Sequence, residues 1–306
     1  MFETTRFLEL DCVRLGNGLL SLLVTQSVGP RIISLQVGQG PNLFAELPDF
    51  TLDCPGEGQF HIRGGHRLWY APEAPEITYL PDDELVQLKT IEDGLMAIQP
   101  VEAKTGIQKS LKIRLPNEDP IVIVDHRLTN KGDDIIACAP WAITQLKVGG
   151  TAILPQNTAI NDLNGLQPNR SVGLWPYTDV ASSNIVWGNR YILINSTISE
   201  GALKVGFPNF RGWLAYYLEG YLFVKKAGHE VDGDYYDLGS SSQCYCNDRF
   251  IELETLGQKS MLVPGESIRH REVWELYQDV HFRQDEDGID ELVERIGLSG
   301  ASEYLL

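Results

Sequence analysis

The sequence predicts an all-β protein, a large antiparallel sandwich that ends in one short helix. Three observations lead there. The prevailing hydrophobic period is two, in short runs rich in Val, Ile, Tyr, Trp and Thr. Gly, Pro, Asn and Asp punctuate these runs, and no helical segments alternate with them, which separates a sandwich from a βαβ fold. The runs are also too many for a seven-stranded sandwich in 306 residues. Residues 1–306 are therefore read as a single extended domain.

The elements follow in order. "GLLSLLV" comes after Asn17 and Gly18, which with Gly16 favour a tight hairpin turn. "RIISLQV" is preceded by Gly29 and Pro30 and followed by "GQGPN". That segment has two glycines but no third at the needed offset and no following helix, so it is not a dinucleotide loop. "IVIVDHRL" lies between "PNED" and "NKGDD"; "RYILINSTI", "WLAYYL", "YLFVKKA", "RFIELET" and "IRHREVWEL" come after it. One segment changes period. From Asp287 to Gly297, Ile289, Leu292, Val293 and Ile296 fall at helical spacing, with acids at the start and a glycine at the stop. Its apolar stripe is expected to cover the end of the sandwich. Asp285, Asp287, Gly288 and Glu294 have the offsets of a calcium loop, but the first ligand position is Arg283, a cation where the ion needs oxygen.

Composition excludes several classes. The net charge of -17 argues against nucleic-acid binding, which needs clustered Lys and Arg. No apolar run is long enough for a membrane span. "MFETTRFLEL" lacks a basic start and an apolar h-region, so a cytoplasmic protein is expected, and the sequons at Asn169 and Asn195 carry no meaning there. The five cysteines are scattered, with no C-x-x-C pair, so reduced buried thiols are expected, and no metal or cofactor.

Four stretches hold residues suited to chemistry. In "IRGGHRLWYAPE", Gly64 and Gly65 allow a sharp turn, and His66, Arg67, Trp69 and Tyr70 follow at once. Arg offers fixed donors to hydroxyl oxygens, and aromatic faces stack on sugar rings. In "APWAITQLKVGG", Trp141, Ile143 and Gln145 share one strand face. The loop-like segments "PNRSVGLWPYTD", "PNFRGW" and "DYYDLGSSSQCYCND" add Trp175, Tyr177, Asp179, Asn209, Arg211, Tyr236 and Asp237, each more often structural than functional in such a context. Last, in "FIELET", Phe250, Glu252 and Glu254 point one way and Ile251, Leu253 and Thr255 the other. Carboxylates suit a strand interior poorly. They mark either a solvent-facing edge or a site.

"GPRIISL", "GGHRLW" and above all "ELETLG" followed by "VPGES" and "HREVWEL" resemble the galactose mutarotase-like superfamily, which includes the aldose 1-epimerases. The order of elements matches over nearly the full length. The resemblance implies a β-supersandwich whose concave face binds a sugar. It implies that Glu254 is the general base toward the anomeric hydroxyl and that Arg67 holds sugar hydroxyls. The family's acid histidine falls at Trp141, and indole is no acid at neutral pH. His66 is the substitute, on condition that the glycine turn carries it across the pocket.

Three functions compete. A sugar mutarotase would use Glu254 with His66, with Arg67, Trp141, Gln145, Glu252, Tyr177, Arg211 and Asp237 around the small-molecule sugar. A non-catalytic sugar-binding protein of the same fold would keep the pocket without the acid. Glycoside cleavage ranks last: Glu252 and Glu254 lie about 7 Å apart along one strand and emerge from one side, so they cannot flank a bond.

Overall fold

The computed structural model describes residues 3–298 and 302–305. Two antiparallel sheets dominate it. The first has twelve strands: ten run in order from Glu3–Phe7 through Leu10–Gly16, Leu20–Thr25, Arg31–Val37, Gly58–Ala71, Ile136–Leu146, Ile251–Leu256, Ser242–Asn247 and Ala202–Phe207 to Gly173–Leu174, while Glu46–Cys54 pairs with Gly58–Ala71 and Ser260–Leu262 with Ile136–Leu146 off this path. The second has ten and includes Thr151–Pro155, Trp213–Leu218, Tyr221–Ala227, Ser267–Tyr277 and Ile121–Asn130. The alternation seen in the sequence sets what each strand buries: Leu22, Leu35, Leu68 and Leu253 from the first sheet meet Leu111, Val124, Phe223 and Trp274 from the second. Phe44 joins the layers, edge-on to Phe223 and Trp274 at ring separations of 6.2 and 5.9 Å.

The hairpin at Asn17-Gly18 forms between Leu10–Gly16 and Leu20–Thr25. The strands expected at "RIISLQV", "WLAYYL" and "YLFVKKA" have those bounds. The C-terminal helix runs Glu286–Arg295, capped by the Asp285 side chain accepting from the Gly288 N–H. It does not cover the end of the sandwich. Ile289, Leu292 and Val293 instead pack on Ile153, Leu193, Ala215 and Val224, the face of the second sheet turned away from the core. That face is apolar and needs a cover, which the amphipathic helix supplies.

Gly64 and Gly65 do not make a turn either. They sit inside the long Gly58–Ala71 strand, where Arg63, Gly64 and Gly65 have φ of 61°, 90° and 74°. Here the strand leaves its partner Glu46–Cys54 and joins Arg31–Val37 and Ile136–Leu146. A Cβ at Gly64 would collide with the Ala45 carbonyl oxygen, and one at Gly65 with that of Ile32. Only glycine permits this conformation and approach.

Candidate functional site

The site is built by strand register on the face of the first sheet that points away from the second. In neighbouring antiparallel strands, residues directly opposite each other share a face. Ile143 pairs with both Arg67 and Glu254, Gln145 pairs with Glu252, and Glu254 and Glu252 pair in turn with Gln243 and Tyr245. Lys204 pairs with Tyr245 on the next strand. Five strands thus place Arg67, Trp69, Trp141, Gln145, Glu252, Glu254, Tyr245 and Lys204 on one surface. The Ile251–Leu256 strand is not an edge: it lies between Ile136–Leu146 and Ser242–Asn247. Its glutamates are buried, Glu254 at 0% exposure and Glu252 at 8%.

This surface carries a cavity of about 330 Å³. Its walls include Trp69, Trp141, Trp175, Tyr79, Tyr177, Tyr245, Phe50 and Phe250, with Arg67, Lys204, Glu73 and Glu252 among them. The aromatic rings fall in two groups: Trp69 lies 5.4 Å from Trp141 and 5.5 Å from Tyr79, and Tyr245 lies 5.7 Å from Phe250 and 6.2 Å from Tyr177. Two larger hollows measure about 730 and 790 Å³, the first adjoining the aromatic cavity at Tyr177 and Ala202. Gly, Ser and Asn from loops line the first, and charged strand side chains the second, so neither gathers aromatic faces.

The charges are arranged in pairs. Glu254 Oε2 accepts from the Trp141 indole N–H at 2.6 Å and from the Lys204 ammonium at 2.9 Å. Lys204 also lies over the Trp141 and Trp175 rings, at 4.8 and 4.7 Å. Glu252 Oε1 accepts from Arg67 at 3.3 Å and from the Gln145 amide at 2.8 Å. Arg67 stacks over Trp69 at 4.2 Å. Burial pushes its guanidinium down to about 10, against the pull of Glu252. Burial pushes Glu252 up to about 7, helped by the Glu254 charge and opposed by Arg67 and Lys204. Several buried polar atoms on this face have no protein partner: Glu254 Oε1, Arg67 Nε and Nη1, Gln145 Oε1 and Gln243 Oε1. Buried polar atoms are normally satisfied, so these point to something that binds here.

His66 is not in this site. It neighbours Arg67 in an extended run, so it points the other way, into the space between the sheets. There its Nδ1 meets Thr144 Oγ1 at 2.9 Å and its Nε2 meets His126 Nε2 at 2.7 Å. His126 Nδ1 lies 3.0 Å from the His270 carbonyl oxygen and must donate to it. His126 Nε2 is then bare and accepts from His66 Nε2–H, leaving His66 Nδ1 to accept from the Thr144 hydroxyl. His66, His126 and Glu272 are near enough to share one ion. Glu272 is already taken, by Lys225 at 2.8 Å, by the Trp274 indole at 2.9 Å and by the Thr255 hydroxyl. Burial pushes all three histidines down, His270 to about 3. The condition set on His66 as an acid opposite Glu254 therefore fails, because the glycine pair bends the strand without turning this side chain across the sheet.

The remaining residues divide. Tyr177 lines the cavity. Asp237 stands behind it, accepting from the Gln243 amide at 2.6 Å. Arg211 lies elsewhere, over Tyr191 and Trp213, whose rings pack in the cluster beneath the C-terminal helix. Sequence reading missed Lys204. The signal was present in "GALKVGF", where Leu203, Val205 and Phe207 alternate with a lone lysine.

The two sheets, the site face between them and solvent, and the covering helix define a galactose mutarotase-like sandwich, the fold of the aldose 1-epimerase proteins. A galactose mutarotase-like protein from Lactobacillus casei ATCC 334 matches with a TM-score of 0.56 and 11% identity, over 87% of this chain and 100% of that one. A provisionally assigned aldose 1-epimerase from Escherichia coli K12 matches at 0.55 and 13%, over 87% and 99%. A TPR-domain containing protein from Parabacteroides distasonis ATCC 8503 matches at 0.62 and 14%, over 89% of this chain, which spans only 48% of that one. No family model and no curated protein matches the sequence. Identities this low speak to the fold alone.

Proposed function

We propose that the aromatic cavity binds an uncharged aldose and that Glu254 acts there as a base toward the anomeric hydroxyl, making the protein an isomerase of the aldose 1-epimerase kind. The observation that carries this is the gathering of three indoles and the buried Glu252 on one cavity wall, with the fully buried Glu254 held just behind it by Trp141 and Lys204, and with Arg67 and Glu254 atoms that lack protein partners. Apolar sugar faces stack on aromatic rings, while hydroxyls satisfy unpartnered donors and acceptors. Among the described residues that line the cavity, the two cations, Arg67 and Lys204, are each paired with a glutamate, and Glu73 adds a further acid, which disfavours a phosphate or a carboxylate as ligand. The neighbours named as mutarotases and epimerases support the same reading. Five free, buried thiols suit a reducing compartment such as the cytoplasm. Among the described residues, no helix is long and apolar enough to cross a membrane.

A second reading has its own observation. Lys204 and Trp141 both occupy Glu254 Oε2, and His66 lies behind the sheet, which favours sugar binding without turnover. Exchange NMR of a panel of aldoses, with wild type and Glu254→Gln, decides between them. Interconversion of anomers that is faster with wild type and slower by about 10²-fold or more in the variant supports catalysis. Line broadening without faster interconversion supports binding alone. Neither effect with any aldose contradicts both readings.

A further inference from the structure

The outer face of the second sheet is covered over only part of its width. The C-terminal helix packs on Thr151–Pro155, Trp213–Leu218 and Tyr221–Ala227. Beyond them, Gly94–Ile98, Ile107–Arg114, Ile121–Asn130 and Ser267–Tyr277 carry the hollow of about 790 Å³. Within Ile121–Asn130, Val124 and Leu128 enter the core, so Asp125, Arg127 and Thr129 face outward. Register then fixes their neighbours. Asp125 lies between Lys112 and Arg271, Arg127 between Ser110 and Arg269, and Thr129 between Gln108 and Ser267. Leu305 closes one end, where the Tyr304 carbonyl oxygen accepts from Arg271 at 3.1 Å.

The hollow thus gathers five cations, Lys112, Arg127, Lys131, Arg269 and Arg271, around one carboxylate, in a chain whose net charge is -17. That carboxylate is already engaged: Asp125 pairs with Arg271 at 2.5 Å and with Arg114 at 3.2 Å. Among the described residues, the side chains of Lys112, Arg127, Lys131 and Arg269 have no ion-pair or hydrogen-bond partner. Arg127 and Arg269 are also directly opposite each other, and like charges so placed destabilise a sheet. An anion between them would reverse the sign of that contribution. Thr129 and Ser267 share a hydrogen bond of 2.9 Å, in which one hydroxyl donates to the other and the second keeps its proton for an outside acceptor.

We propose that this hollow binds a small molecule carrying phosphate, gripped by Arg127 and Arg269 with Lys112 and Lys131 beside them. Two guanidinium forks on adjacent strands suit the several oxygens of one phosphate. A phosphate ester brings close to two negative charges, so four unpartnered cations match one or two such groups. The volume is that of a small-ligand site. A long polyanion such as a nucleic acid would run from the hollow onto a surface whose net charge repels it. The site is separate from the aromatic cavity, which lies on the other sheet and whose cations are both paired.

The test is calorimetric titration with inorganic diphosphate, using wild type and the double variant Arg127→Gln with Arg269→Gln. Wild type should bind one diphosphate, more weakly as salt rises from about 50 to about 300 mM. The double variant should bind it at least about 10-fold more weakly. Urea unfolding is the second measurement. Without ligand the variant should be no less stable than wild type, because a like-charge pair is gone. With diphosphate only wild type should gain stability. A wild type that binds no diphosphate, a variant that binds it equally well, or tighter binding of citrate than of diphosphate overturns the proposal. A variant less stable than wild type without ligand also overturns it, since the two arginines would then support the fold. Indole N–H signals of Trp69, Trp141 and Trp175 should stay still during the titration. Shifts there in place of heat lost with the double variant would put the anion in the aromatic cavity and contradict the assignment.

Discussion

At the scale of residues, the site is a set of compensated charges on an aromatic floor. Trp141 stands where the resemblance places an acid, and it donates its N–H to Glu254. Lys204 completes that arrangement by neutralising a carboxylate with no exposure to water. Removing one partner of a buried pair leaves the other charge uncompensated, which is far costlier than replacing both. Lys204→Met should therefore lose about 3 kcal/mol or more of unfolding free energy. Lys204→Met with Glu254→Gln should recover most of that loss. Urea denaturation of the two variants checks it. Equal losses in both would mean that the lysine stabilises by packing on Trp141 and Trp175, not by its charge.

At the scale of elements, the Gly58–Ala71 strand decides what the site contains. Its left-handed stretch at Arg63 to Gly65 lets it change partners while keeping Arg67 and Trp69 on the cavity face and His66 and Leu68 on the core face. Gly64→Ala should cost roughly 2 to 4 kcal/mol, from backbone strain and overpacking against Ala45 together. It should also weaken sugar binding, because Arg67 is three residues away on the same strand. A thermal melt and a sugar titration of the variant check both. Much at this scale was legible in the sequence. Period-two runs gave strand positions, and the alternation of "FIELET" put both glutamates on one face. The same parity argument, carried through "GGHRLW", separates His66 from Arg67. The glycine pair hid this because it reads as a turn, and only the register with Arg31–Val37 and Ile136–Leu146 shows that the strand continues. The Arg211 loop was not legible at all, since a loop has no period to say which face it reaches.

At the scale of the whole molecule, the two sheets are joined behind the site by a polar core. Lys225 from the second sheet donates to the Ala142 and Leu253 carbonyl oxygens, main chain of the two strands that carry Trp141 and Glu254. His66, His126 and His270 complete the network as neutral rings, since burial lowers all three from their ordinary value. Their contribution is fully present above about pH 6.5, the value in an unfolded chain, and is lost as pH falls below it, because unfolding then takes up protons. Glu252 acts in the opposite sense: raised to about 7, it holds a proton that the unfolded chain has released. The three histidines together outweigh Glu252, so unfolding free energy should drop as pH falls from about 6 to about 5. Denaturant unfolding at the two pH values measures it, and a flat profile would mean that the rings are already charged in the fold. The sandwich as a whole could be anticipated from turn spacing, and the resemblance implied the fold. Which sheet face meets the helix could not, because the strands Thr151–Pro155, Trp213–Leu218 and Tyr221–Ala227 bury apolar side chains on both faces. The central claim, that the cavity on the first sheet is a sugar site, is tested most directly by the indole N–H signals of the six tryptophans during an aldose titration. The account predicts saturable shifts at Trp69, Trp141 and Trp175, which line the cavity, and none at Trp187, Trp213 and Trp274. Shifts at the second group alone, or at none of the six with any aldose, would contradict it.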